Sequence, residues 1–205
     1  MVHLLLRGTD CGYSDRSVCN QTEKGSEDVA RIIMEDSRQQ KSKHDNINAW
    51  LILHDIEIRR TKLYVGDYTL PANQSVCIDT KYGLQEVYGN LIQDHRRFTD
   101  ECTAAFSAGI KLIVLVEESG ISSVQDVAKW QNPRVMRWER LRDAHKAGKR
   151  MKEQLSPYPP VSSERLCKAM QTIAERYHIE WRFCDKADTA RTICEILELR
   201  WINRE

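Results

Sequence analysis

Three side chains in the stretch LYVGDYTLPANQSVCIDTKYGLQEV, residues 63–87, could share one piece of chemistry: Asp67, Asp79 and Lys81. Val76, Cys77 and Ile78 form an apolar strand run of half-buried character that ends in Asp79-Thr80-Lys81. Residues i and i+2 of a strand point to one face, so Asp79 and Lys81 project together while Ile78 and Thr80 face the other way. Asp67 closes the preceding extended piece, after Gly66, whose missing Cβ permits a tight turn. Two carboxylates brought together repel. A divalent cation removes that repulsion, and Mg²⁺ binds through one or two carboxylates, waters and a substrate phosphate. Lys81 beside the ion would hold a water or hydroxide and face the phosphate. A bare D-x-K equally describes a solvated strand end with Asp67 in a turn. Two further features favour the site: Asp36 and Arg38 end the first strand, and Glu86 opens the next helix five residues after Lys81.

The elements that must position these residues are legible from periodicity. The pattern predicts a first strand over 30–36 and a helix over 43–54, with Ile47, Trp50 and Leu51 as its apolar stripe. Two extended pieces follow, 56–60 and 62–68, then the turn LPANQS and a strand over 76–81. A single long helix is predicted over 84–107, with Leu84, Val87, Tyr88, Leu91, Ile92, Phe98, Cys102 and Ala105 inward, and Gly109 ends it. His95 falls on that stripe and reads as a packed histidine. The run IKLIVLVEE, 110–118, is the pattern of a strand covered on both faces. A short helix over 124–130, a helix over 163–177, an alternating edge strand over 179–184 and a last helix over 188–199 complete the order. The expected fold is an α/β sandwich with a mixed sheet.

The chain has 205 residues and a formal net charge of +1, so no whole-protein field points to nucleic acid. Basic character is local: residues 134–152 carry lysine or arginine at 134, 137, 140, 142, 146, 149, 150 and 152, against Glu139 and Asp143. This stretch reads either as a DNA contact or as a solvated amphipathic helix with Met136, Trp138, Leu141 and Met151 partly packed. Seven cysteines at irregular spacing, with no CxxC, read as reduced thiols, and Cys11, Cys19 and His3 do not form a known zinc pattern. The amino terminus has only a three-leucine apolar core, too short for a signal peptide, and no run approaches a membrane span. A cytoplasmic protein is expected, with residues 1–28 as a loose extension.

The segments IIMEDSRQQ, KLYVGDYTL, VCIDTKYGLQEVYGNLIQDHRRF and AGIKLIVLVEE, in that order, resemble the XPF-type nuclease domain, especially its small stand-alone bacterial and phage versions. The resemblance runs from about Ile32 to Leu199 and is weakest over 131–161, a basic, divergent insertion within a domain of 29–205. It implies a restriction-endonuclease-like fold, a mixed β-sheet flanked by helices. It also implies a Mg²⁺- or Mn²⁺-dependent endonuclease that hydrolyses DNA phosphodiester bonds and leaves a 5′-phosphate. The hallmark of the family is G-D, a spacer, E-R-K and an acid three residues on. On this chain it places metal ligands at Asp67 and Asp79, the catalytic lysine at Lys81, and the first-strand acid and arginine at Asp36 and Arg38. Glu86 stands later than the family's final acid. Thr80 replaces the arginine of E-R-K, Gln39 replaces a common glutamate, and Asp79 shortens the family's glutamate by one methylene.

The implied partner is DNA, with a homodimer as a further expectation. Phosphate contacts need cations, and the candidates are Arg59, Arg60, Lys62, Arg96, Arg97, Arg134 and Arg137. Trp130, Trp138 and Tyr158 could stack unpaired bases. The G-x-G pattern of the helix-hairpin-helix module found in the XPF enzymes proper is absent from the sequence. Two other readings share the fold: a degenerate nuclease that binds DNA or a repair partner without cutting, and a defence effector acting on invading DNA.

Overall fold

Leu112, Val114 and Val116 alternate with Ile113 and Leu115, and all five are buried. Their strand, Lys111–Glu117, lies inside the sheet and packs helices against both faces. The computed structural model describes residues 31–150 and 152–202. In chain order its strands are β1 (Ile32–Asp36), β2 (Glu57–Thr61), β3 (Tyr68–Thr69), β4 (Val76–Lys81), β5 (Lys111–Glu117) and β6 (Glu180–Cys184). They form one six-stranded sheet in the order β2-β1-β3-β4-β5-β6. β1/β2, β4/β5 and β5/β6 pair parallel, whereas β3 runs antiparallel to both β1 and β4. The fold is α/β with a mixed sheet, as the element order implies.

The helices are α1 (Asp45–Leu53), α2 (Leu84–Tyr88), α3 (His95–Ser107), α4 (Pro133–Lys146), α5 (Ser163–Tyr177) and α6 (Thr189–Ile196). One core layer joins the sheet to α2, α3 and α5 through Val87, Phe98, Cys102, Leu166 and Met170. The other joins it to α1 and α6 through Ile47, Leu51, Ile193 and Cys194. Cys77 belongs to the first layer and Ile78 to the second. Strand alternation therefore sends Asp79 and Lys81 toward α2 and α3, and Thr80 toward α1. β4 is not half-buried: every residue from Cys77 to Lys81 is buried. Among the described residues no helix is long and apolar enough to cross a membrane.

Two local expectations are corrected. Residues 62–67 are not a strand; they bend through Gly66 at φ +72°, and pairing resumes only at Tyr68. The long helix is interrupted: a π-helical turn, Gly89–Gln93, follows α2, and Asp94 breaks the chain before α3. The buried Asn90 donates its side-chain amide to the Glu86 carbonyl at 2.9 Å, a local bond that competes with regular helix. The break leaves His95 exposed at the start of α3 rather than packed, and Ile92 is 36% exposed. The cysteine and histidine positions 3, 11 and 19, the extension 1–28 and Met151 lie outside the described residues. Cys77, Cys102, Cys167, Cys184 and Cys194 are free thiols.

Candidate active site

Lys81 and Asp79 meet at the carboxyl end of β4. The Lys81 ammonium lies 2.7 Å from Oδ1 of Asp79 and 2.6 Å from Oδ2, and both side chains are under a tenth exposed. Oδ2 has no hydrogen-bond donor beyond that ion pair, so Lys81 is the one cation against this buried carboxylate among the described residues. Burial pushes the Asp79 carboxyl up to about 7; the Lys81 charge opposes this, and Asp67 and Glu101 add to it. Burial works to lower the lysine, but the Asp79 and Asp67 carboxylates outweigh it and hold the ammonium charged.

Asp67 enters this site from the bend before β3. Its amide donates to the Ile78 carbonyl at 2.7 Å, and its carbonyl accepts from the Asp36 amide at 2.9 Å, so the bend is laced to both neighbouring strands. A Cβ on Gly66 would stand 2.9 Å from the Ile78 carbonyl oxygen. Gly66→Ala is therefore expected to cost on the order of 3 kcal/mol, from left-handed strain and that clash, a Tm drop of roughly 5–12 °C in calorimetry. A drop of only a degree or two would show that the bend tolerates a side chain.

All six residues that the sequence singles out for catalysis line one cavity of about 470 Å³: Asp36, Arg38, Asp67, Asp79, Lys81 and Glu86. Asp36 accepts from the Arg38 backbone amide at 3.1 Å and from its guanidinium at 2.7 Å, which holds the arginine charged. Glu86 accepts from the Tyr82 amide at 2.8 Å and lies 3.5 Å from the Lys43 ammonium. Glu101, also in the wall, accepts from the Gly66 amide at 2.9 Å. Sequence reasoning missed it, although the signal was there: an acid three residues after Phe98 and four before Ala105 sits on the apolar stripe of its helix.

Also missed was a buried polar chain behind the cavity. Thr80 donates its hydroxyl to Asp67 Oδ2 at 2.6 Å and its backbone amide to the same oxygen at 2.9 Å. His44 Nε2 lies 3.3 Å from the Thr80 hydroxyl, and its Nδ1 lies 3.2 Å from Glu35. Asn48 donates to Glu35 at 3.2 Å, and Arg60 pairs with it at 3.2 Å. Side-chain bonds to His44 and Asn48 and the Arg60 charge together outweigh the large burial penalty on Glu35, leaving its carboxyl below the usual range. Gln39 donates to the other Asp67 oxygen. Thr80 thus lies on the sheet face opposite Lys81, supporting Asp67 from behind.

Of the seven cations expected to meet DNA, Arg97 alone lines this cavity. It and Arg96 are largely exposed and pair at the surface with Asp94 and Asp100, and Arg97 also donates to the Asn90 side chain at 3.4 Å. Lys62 is exposed beyond β2. Arg59 pairs with Glu57. Arg60 is tied to Glu35 and to the Gln39 carbonyl. Arg134 packs over the Tyr88 ring, 4.9 Å from its centroid, and Arg137 pairs with Glu153. The basic insertion is a docked helix: Leu141 is buried, Trp138 bonds the Ser156 carbonyl, and Met136 is 53% exposed. Trp130 is held by Glu118 and packs on the core, whereas Tyr158 is exposed.

The hard carboxylate oxygens of Asp67 and Asp79, in one cavity wall, suit Mg²⁺ or Mn²⁺. Among the described residues no three acidic, histidine or cysteine side chains form a ready-made cage. An ion here would take one or two carboxylates and complete its shell with water and phosphate, which is the usual Mg²⁺ arrangement. In the metal-free protein Asp79 should make stability pH-dependent. Its folded carboxyl titrates near 7, above the roughly 4 of an unfolded chain. Its contribution is therefore complete below about pH 4 and lost as the pH rises toward 7. Denaturant unfolding in chelator should show wild type losing stability over that range relative to Asp79→Asn. Parallel curves would contradict the burial of this charge.

No family model matches the chain, and no curated protein does. Solved structures do. The chain is similar to XPF from Aeropyrum pernix, with a TM-score of 0.52, 16% identity, 82% of this chain and 64% of that chain covered. It is likewise similar to XPF from Aeropyrum pernix in complex with DNA, with a TM-score of 0.51 and 15% identity over the same shares. The likeness is one of fold, and the match spans 64% of the length of those proteins.

Proposed function

We propose that this protein is a Mg²⁺- or Mn²⁺-dependent endonuclease that hydrolyses DNA phosphodiester bonds. The observation that carries the reading is the buried Asp79–Lys81 pair, in a cavity also walled by Asp67, Asp36, Glu86 and Glu101. Asp79 and Asp67 would hold the ion, which when bound polarises a phosphoryl oxygen and acidifies water. Asp67 accepts two donors on Oδ2 and one on Oδ1, which leaves one of a carboxylate's roughly four acceptor sites, on Oδ1. Lys81 is held charged at the cavity wall. There it orients the attacking water and stabilises the negative charge that builds on the phosphoryl oxygens. Arg38 offers a guanidinium fork to a phosphate, and Arg97 lies in the same wall. That the similar fold from Aeropyrum pernix was solved with DNA supports DNA as the substrate.

One observation favours a second reading, a nuclease fold that binds without cutting: Gln39, at a position where the family it resembles commonly has a glutamate, donates its amide to Asp67. Purified protein with Mg²⁺ or Mn²⁺ on duplex, single-stranded and forked DNA separates the two. Hydrolysis leaving 5′-phosphate ends, abolished by chelator, is the expected result. Binding without cleavage under either ion would favour the module.

A further inference from the structure

Asp67 stands on the bend between β2 and β3, and it and Asp79 repel each other across the cavity. Its carboxylate therefore needs restraints of its own. Three donors supply them: the Thr80 hydroxyl and amide take Oδ2, and the Gln39 side-chain amide takes Oδ1. They leave one acceptor site, on Oδ1, so whatever holds Thr80 and Gln39 decides which lone pair an ion can use. Both arms end on Arg60. The first runs from Thr80 to His44 at 3.3 Å, from His44 to Glu35 at 3.2 Å, and from Glu35 to the Arg60 guanidinium, an ion pair at 3.2 Å. The second is shorter: the same guanidinium donates to the Gln39 backbone carbonyl at 2.8 Å. Strand register explains the convergence. Arg60 on β2 stands beside Glu35 on β1 in their parallel pair, and Gln39 follows just past the end of β1.

Glu35, His44 and Thr80 are each buried to 2% exposure or less. Well-packed apolar side chains in such places serve stability as well as a buried ionic chain does. What a satisfied polar chain adds is one fixed arrangement of its members. We propose that Arg60 is a positioning residue of the hydrolytic site: through Glu35, His44 and Thr80 on one side and through Gln39 on the other, it holds the Asp67 carboxylate in the orientation that binds the divalent ion. Arg60 thereby acts on the metal and not on a phosphate. The inference rests on the reading of Asp67 as a metal ligand.

Mn²⁺ titrations of the DNA-free protein, followed by loss of the free-ion paramagnetic resonance signal, read the site without cleavage. The Arg60 side chain is 28% exposed, so truncating it opens no core cavity. Arg60→Ala should raise the Mn²⁺ midpoint about tenfold or more, the low end of what partners of metal ligands contribute. Arg60→Lys should recover only part of this, because one ammonium does not reproduce a planar fork that reaches Glu35 and the Gln39 carbonyl together. Glu35→Gln should raise the midpoint through the first arm alone. Glu57→Ala, at an exposed position of the same strand, should leave it unchanged and controls for disturbance of β2. Crystals of metal-free Arg60→Ala give a second readout: the Asp67 carboxylate should leave its wild-type rotamer or split between two. A wild-type Mn²⁺ midpoint in folded Arg60→Ala and Glu35→Gln, or a wild-type Asp67 rotamer in the Arg60→Ala crystals, overturns the proposal. Wild type that binds no Mn²⁺, with Asp67 displaced in Arg60→Ala, would instead remove the metal reading and leave the support of Asp67 standing. Wild type that binds Mn²⁺ and cleaves DNA, with Arg60→Ala equal to it in both, does the reverse.

Discussion

Asp79→Asn and Lys81→Ala are each expected to lower DNA cleavage by at least about 10²–10³-fold, the usual cost of removing one preorganised electrostatic group. The two act on one centre. Asn at 79 keeps the shape but removes the charge that would hold the ion and half of the buried pair with Lys81. Ala at 81 removes the only ammonium in contact with that carboxylate among the described residues. The double variant should therefore be little worse than either single one, because residues that work as a unit lose their effect together. Lys81→Arg should not rescue: a planar guanidinium fork pairs with a carboxylate on two bonds and cannot present a compact charge to water. DNA affinity should stay within a few-fold, since the exposed cations Arg96 and Arg97 are untouched. Single-turnover cleavage beside anisotropy separates the two effects. Variants that cut at near wild-type rates would remove these residues from the chemistry.

Thr80→Val is the second large effect. The hydroxyl donates to Asp67 at 2.6 Å and lies within reach of His44, in a position only 2% exposed. Valine has nearly the same volume but leaves the Asp67 oxygen with the backbone amide alone and strips His44 of a partner. Loss of buried partners costs about 1–3 kcal/mol. Groups that orient a metal ligand from behind typically contribute 10- to 100-fold in metal affinity or activity. Cleavage should fall by about that factor, with the metal-concentration midpoint shifted upward, and Thr80→Ser should recover most of it. A stability loss with an unchanged metal midpoint would make Thr80 a purely structural residue. The structure also explains why threonine suits this position: the side chain faces His44 and not the cavity, so an arginine here would enter an occupied, buried space.

Much of this was readable because the signals are local. β5 is an unbroken apolar run and is buried on both faces. α5 spans Ser163–Tyr177, with the Ser162 hydroxyl accepting from the Arg165 amide. The i, i+2 rule put Asp79 and Lys81 side by side. What was illegible depends on partners distant in the chain. Nothing near Arg60 or Arg134 announces that one is tied to Glu35 and the other lies over Tyr88, so in sequence both stand only as candidates for phosphate contact. Glu35 looks like an ordinary strand acid until His44 and Asn48 close over it. The apolar spacing of 84–107 hides the π-turn, because Leu91 and Phe98 are buried on either side of the break while Ile92 and His95 between them are exposed. Residues 62–67 carry Leu63 and Val65 inward as a strand would, but the bend at Gly66 delivers Asp67 instead.

The central claim is that Asp79 and Asp67 hold a divalent ion beside Lys81. A crystal soaked in Mn²⁺ and measured for its anomalous signal tests this most directly. The account predicts a peak bonded to an Asp79 oxygen at about 2.1 Å, reached also by Asp67 and absent from Asp79→Asn crystals. An empty cavity at saturating Mn²⁺, with the Lys81–Asp79 pair unchanged, would contradict it.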